Sequence, residues 1–232
     1  MKILAIDSSA ISAGCAVAED DNIIAESFVK VGLTHSETLL PMVANTLANA
    51  KLTPADIDCY AVAAGPGSFT GIRIGVAAVK GMAFTAATPC IGVSTLEAIA
   101  WNCLGLDGVI CAVMDARRQQ VYNALFTFED GRLVRLCEDR AISIEELTNE
   151  LTYEDGRVTL TGDGAKLCYD AMRETLPDIR LAPEHIRFQR GFGVAKAAQR
   201  VFAQQGAQSP EELVPTYLRL SQAERELKKR QV

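Results

Sequence analysis

Short apolar runs at residues 2–7, 14–19 and 23–30, separated by polar turns at Ser8–Ala13 and Asp20–Asn22, predict three strands joined by tight turns. The period then changes. Leu40, Val43, Ala44 and Leu47 recur at i, i+3, i+4 and i+7 within Thr34–Ala50, which predicts an amphipathic helix with that stripe on the core. A strand at 59–64, a helix at 71–86, a strand at 90–93 and a helix from Ser94 to Leu104 follow. After the Gly105–Gly108 punctuation the order begins again, with strands at 109–114, 120–128 and 132–138, a helix at 143–151, a strand at 157–161 and a helix at 165–175. Two successive runs of strand, strand, strand, helix, strand, helix predict a duplicated α/β lobe. Residues 1–104 form the expected N-terminal lobe, rejoined by 206–232, and 105–205 the C-terminal lobe.

In each half the first strand ends in an aspartate before a polar turn, Asp7 in Ile-Asp-Ser-Ser and Asp115 in Met-Asp-Ala-Arg. Two facing lobes, each with an acidic turn, match the actin-like, hexokinase-like (ASKHA) ATPase architecture, where such turns cradle phosphates. A fold alone assigns no activity.

Composition narrows the classes. With 49% apolar and 22% charged residues among 232, a large core is available, and neither a disordered chain nor a disulfide-stapled miniprotein fits. A net charge of −6 excludes a chain that neutralises phosphates over its whole surface, so direct contact with RNA would need a local patch. Seven cysteines, an odd number without C-x-x-C spacing, read as reduced core residues of a cytoplasmic protein. The most apolar long region, Ile72–Val93, contains Arg73, Lys80 and Pro89 and falls short of a membrane span. The chain runs directly into its first strand with no basic and apolar leader, so no secretion is expected.

The segment with the most local information is Gly65-Pro66-Gly67-Ser68-Phe69-Thr70-Gly71-Ile72-Arg73-Ile74-Gly75, set between an apolar strand and an apolar helix. Glycine permits tight turns and close backbone approach, and a helix start exposes N–H groups that favour an anion. The lysine and spacing of a Walker loop are absent, as are the flanking glycines of a nucleophile elbow around Ser68. Two readings remain from chemistry alone. Either the loop merely turns the chain, with Ser68 or Thr70 as N-cap and Arg73 on the surface, or it contacts a ligand or partner.

As a string this loop resembles the bacterial TsaB (YeaZ) family. So do Ile3-Leu4-Ala5-Ile6-Asp7-Ser8-Ser9, His35-Ser36-Glu37 with Leu40-Pro41, Gly92-Val93-Ser94-Thr95-Leu96-Glu97, Asp115-Ala116-Arg117-Arg118 with Val121-Tyr122, and Pro215-Thr216-Tyr217-Leu218-Arg219. The stretch from about 130 to 210 is generic. The resemblance implies an actin-like two-lobed fold with a degenerate nucleotide site. It also implies a non-catalytic subunit of the tRNA threonylcarbamoyladenosine machinery, pairing with the transferase TsaD and the ATPase TsaE. In absence of that transferase the expected partner is a second copy, and tRNA is met only indirectly.

The catalytic paralogue carries H-x-x-x-H where this chain has Thr95 and Ile99. Neither side chain replaces an imidazole as a ligand, so no metal and no catalytic residue is expected. Ser94 with Glu97, and Thr34 with Glu37, have the spacing of capping boxes. Pro41 is expected to kink or delay the start of its helix. Only His35 and His185 remain, and both read as structural or surface residues. The rival functions are a stand-alone ATP-dependent phosphotransferase and a metallopeptidase of the glycopeptidase-like group.

Nucleotide contacts, if the chain makes any, fall on Asp7, Ser8, Ser9, Asp115, Gly162 and Gly164. Arg117 and Arg118 depart from the small residues of a phosphate loop, and ATP is otherwise expected at the complex with the ATPase. On the helix from Thr34, Leu39, Met42 and Thr46 lie off the expected core stripe. On the helix after the glycine loop, Val76, Val79 and Ala83 make one face while Ile74, Ala78, Gly81 and Thr85 leave a flat, small-residue face opposite. These two faces are the expected partner interface, the alternative being that the chain's own C-terminal segment covers the second face. Glu224 with Lys228 and Glu226 with Arg230 are i, i+4 pairs on a C-terminal helical segment.

Overall fold

Ile3 to Asp7 are buried on both faces, which makes Lys2–Asp7 (β1) a central strand rather than an edge. In the computed structural model, which describes residues 1–32, 34–154 and 156–219, β1 is flanked by Ala13–Glu19 (β2), antiparallel, and by Cys59–Gly65 (β4), parallel. Asn22–Val29 (β3) and Cys90–Ser94 (β5) form the edges, giving the order β3-β2-β1-β4-β5. His35–Asn49 (α1) connects β3 to β4, and Phe69–Phe84 (α2) connects β4 to β5. The last element of this half is Thr95–Trp101 (α3).

The second half repeats the plan with Val109–Asp115 (β6), Gln120–Glu129 (β7), Arg132–Arg135 (β8), Val158–Thr161 (β10) and Arg180–Leu181 (β11). Read from β8, the order β8-β7-β6-β10-β11 is that of the first sheet. Arg140–Ser143 (β9) pairs with the start of β7, whereas β8 pairs with its end. The single strand expected at 132–138 is thus broken at Leu136 and Cys137. Ile144–Leu151 (α4), Ala165–Met172 (α5), the short Glu184–Arg187 (α6) and Gly191–Gln205 (α7) complete it.

The last helix of each half packs on the sheet of the other. Leu96, Ile99 and Ala100 of α3 lie against Ile110, Ala112, Ala124 and Phe126 of the second sheet. Val194, Ala195, Ala197 and Ala198 of α7 lie against Ile3, Ala5, Ala61 and Val93 of the first. The chain therefore returns to the first sheet at Gly191, although the sequence expectation groups everything to residue 205 with the second lobe. Close approach of the two helices requires Gly193, where a β-carbon would overlap the carbonyl oxygen of Ala98.

Burial corrects the reading of α1. Its core residues are Leu39, Met42, Val43, Thr46 and Leu47, while Leu40 is 52% exposed and Ala44 faces solvent. Leu39, Met42 and Thr46 belong to this chain's own core, not to a partner face. Thr46 is accommodated there because its hydroxyl reaches the Met42 carbonyl oxygen and the Ser27 hydroxyl, both at 2.8 Å. The helix starts at His35 and runs through Pro41, so the proline does not delay it. Thr34 makes no side-chain cap. At α3, Ser94 caps Glu97 N–H, yet the Glu97 carboxylate turns away to Arg135 and Arg200, so only half the expected box forms. The expected C-terminal pairs of Glu224 and Glu226 lie outside the described residues.

Candidate functional site

Asp7 and Asp115 end equivalent strands, and Gly162-Asp163-Gly164 follows β10, so the duplicated topology gathers three carboxylates at the cleft between the lobes. The first turn closes on itself. The Ser9 N–H and hydroxyl both donate to Asp7 Oδ1, at 2.8 and 2.6 Å. The glycine loop then seals it: Ser68 N–H donates to the Ser9 carbonyl oxygen at 2.7 Å and Ser8 Oγ–H to the Gly71 carbonyl oxygen at 2.8 Å. A β-carbon at Gly71 would overlap the Ser8 carbonyl oxygen, so this glycine is required by the chain's own packing. Ser68 is the N-cap of α2, accepting from Gly71 N–H, while Thr70 and Arg73 are exposed.

The second turn behaves alike. Arg117 N–H donates to Asp115 Oδ1 at 2.7 Å, and Arg117, Arg118 and Gln119 are held left-handed, with φ of 66°, 58° and 58°. Gly162 N–H and Gly164 N–H donate to the carbonyl oxygens of Arg187 and Val113.

A C-terminal segment crosses this cleft. Thr216 N–H donates to the Ala64 carbonyl oxygen at 2.7 Å, passing over Gly65. The Tyr217 ring stacks on Phe69 with centroids 4.4 Å apart, Arg73 lies 4.0 Å above the other ring and donates from Nε to the Tyr217 hydroxyl at 2.9 Å. Arg219 reaches over to the Ala116 carbonyl oxygen at 2.8 Å. Pro66, Gly67, Phe69, Tyr217 and Arg219 thus bound one side of a cavity of about 540 Å³ whose opposite side is Met114–Arg117 and Asp163. Tyr217→Ala removes the stack and the Arg73 bond together. We expect a loss of about 1–2 kcal/mol and faster trypsin cleavage at Arg219, read by limited proteolysis.

Burial pushes Asp7 up to about 7, against the two Ser9 hydrogen bonds, with the charge of Asp163 adding to the rise. Burial likewise pushes Asp163 up to about 6, opposed by the Gln189 amide at 2.8 Å. Asp7 Oδ2 is buried with no partner among the described residues. These residues do not fit a nucleoside triphosphate. The Ser9 and Arg117 amides are held by the chain's own aspartates, and the carboxylates of Asp115 and Asp163 line the cavity that an anion would enter.

Thr95 and Ile99 are both wholly buried, Ile99 in the apolar contact with the second sheet. Among the described residues no group of His, Cys, Asp and Glu has the arrangement of a metal site. His35 Nε2 meets the Ala10 carbonyl oxygen, and His185 is exposed on α6. No described helix is long and apolar enough to cross a membrane.

A second surface follows from α1 and α2. Ile74 and Ala78 of α2 are half-buried against the shared core, so they serve this chain first. Gly81 and Thr85 are exposed, and nothing stands above Gly81. With Leu40 and Ala44 of α1, and Ala77 and the 68% exposed Phe84 of α2, they leave an apolar, small-residue surface that none of the described residues covers.

The model of the family "TsaD: tRNA N6-adenosine threonylcarbamoyltransferase" matches residues 30–226. A Bacillus subtilis protein named tRNA threonylcarbamoyladenosine biosynthesis protein TsaB is 34% identical, covering 97% of this chain and 96% of its own. The Escherichia coli protein of the same name is 31% identical over 94% and 95%. A Pseudomonas aeruginosa structure described as similar to peptidase YeaZ superposes with a TM-score of 0.79 at 22% identity, covering 94% of this chain and 99% of that one, and so shares its duplicated α/β fold. Within the wider family that the transferase model describes, this chain belongs to the TsaB (YeaZ) family.

Proposed function

We propose that this chain is a non-catalytic subunit in the biosynthesis of threonylcarbamoyladenosine in tRNA, pairing with a TsaD-like transferase through the exposed faces of α1 and α2. The observation that carries this reading is the contrast between its two surfaces. The cleft's turn amides bond the chain's own aspartates, whereas Leu40, Ala44, Ala77, Gly81 and Phe84 face outward with no cover among the described residues. Apolar helices with small residues pack closely on similar helices, and a paralogue with the same duplicated fold supplies them. A second copy of this chain takes the surface when the transferase is missing. A TsaE-like ATPase brings ATP to the assembly, and tRNA is met through the partners.

Charge tests the surface. Phe84→Glu, and separately Gly81→Glu, should leave a folded monomer and weaken pairing with the transferase at least about thirtyfold, as measured by calorimetry. Met42 is unsuitable, since it is core. Undiminished affinity in both variants would remove α2 from the interface. Turnover of ATP or peptide by the purified chain alone, lost on Asp7→Ala, would instead favour the phosphotransferase or peptidase reading.

A further inference from the structure

A second cavity, of about 720 Å³, shares no lining residue with the cleft. It lies between the ends of α3 and α7 and the strand β8, where α3 meets the second sheet. Its apolar side is the Trp101 indole with Leu104 and Leu133. Trp101 is braced edge-on by Phe128, with centroids 5.8 Å apart, and its Nε1–H is buried with no partner among the described residues.

The other side is cationic in a chain that is acidic overall. Arg132, Arg135, Lys196 and Arg200 line the cavity against one lining carboxylate, Asp21. Glu97, buried behind them, holds Arg135 at 3.2 Å and Arg200 at 2.9 Å, and Asp139 holds Arg135 at 2.6 Å. This backing fixes two guanidinium groups at the cavity wall. Arg200 uses only Nη1 on Glu97, and Arg132 makes no ion pair among the described residues. Two guanidinium forks with free donors therefore stand beside a flat apolar wall. A volume of this size suits a small metabolite.

We propose that this cavity binds a small organic anion, a carboxylate or phosphate joined to a flat apolar group, with the anion on Arg132 and Arg200 and the apolar group against Trp101. The site is independent of docking on α1 and α2. Trp101 is the sole tryptophan of the chain, so its emission reports this cavity directly. Titration of the full chain with phenyl phosphate and with benzoate should give a saturable change, the tighter of the two identifying the anion. Inorganic phosphate, lacking the apolar group, should bind at least about tenfold more weakly than the tighter probe. Arg132→Gln, at an exposed position, should unfold like the parent chain and weaken the tighter probe about tenfold. Absence of a saturable response to both probes would overturn the assignment. So would inorganic phosphate binding as tightly, or an unchanged affinity in Arg132→Gln.

Discussion

Glu97→Ala should destabilise the chain by about 3 kcal/mol, because it strips a buried carboxylate from two arginines that no solvent shell fully serves. Glu97 is 10% exposed at its side chain, Arg135 17% and Arg200 31%. Removal leaves Arg135 with Asp139 alone and Arg200 without its ion pair. The three residues sit on α3, β8 and α7, the elements through which each half grips the other, so the loss should spread to the docking of the lobes. Urea denaturation reads it as a lower midpoint with an unchanged slope. Glu97→Gln, which keeps the shape and one acceptor, should fall between. A loss below about 0.5 kcal/mol in the alanine variant would show that water screens this cluster as it does surface pairs.

Glu97 also shows where sequence reasoning stops. Ser94 and Glu97 stand at capping-box spacing, and the serine does cap, but the glutamate is drawn off by Arg135 and Arg200, partners 38 and 103 residues away. Local spacing cannot register that competition. The strands and the repeat were legible because alternation and apolar runs are local, and burial on both faces follows from a central place in a sheet. For α1 the pattern offered two stripes sharing Val43 and Leu47. Thr46 decided between them, since its hydroxyl is satisfied by Ser27 on β3, a contact no helical period contains. The small residues of α7, Gly191, Gly193, Ala195, Ala197 and Ala198, were a visible sign of close helix packing in a stretch read as generic. In the cleft, the motif residues were found, but not that Gly65 and Gly71 make room for Thr216 and Ser8 of the same chain. The stack of Tyr217 on Phe69 was equally hidden, because 148 residues separate the two rings in sequence.

Asp7→Asn should stabilise the protein at pH 8 by roughly 2–4 kcal/mol and leave it nearly unchanged at pH 4, an effect that follows from the carboxyl's burial. In the unfolded chain Asp7 titrates near its ordinary value of 3.8, and in the folded chain burial pushes it up to about 7. Below pH 3.8 the group is neutral in both states and contributes nothing. Between 3.8 and 7 the unfolded state releases its proton while the folded state keeps it, so stability falls as pH rises. Above about 7 both states are ionised and the full cost is present, roughly 4 kcal/mol for a rise of this size. Asparagine retains an Oδ1 to accept from the Ser9 amide and hydroxyl, and it has no charge to bury. Asp163, pushed up to about 6, adds a smaller decline over 3.8 to 6 and raises Asp7 through its own charge, so the slope should persist in part in the Asp7→Asn chain. The difference in unfolding free energy between parent and variant, measured in urea at half-unit steps, reports Asp7 together with its coupling to Asp163 and cancels the groups that do not interact with it. A difference that does not change with pH would mean that water reaches the carboxyl at the base of the first turn.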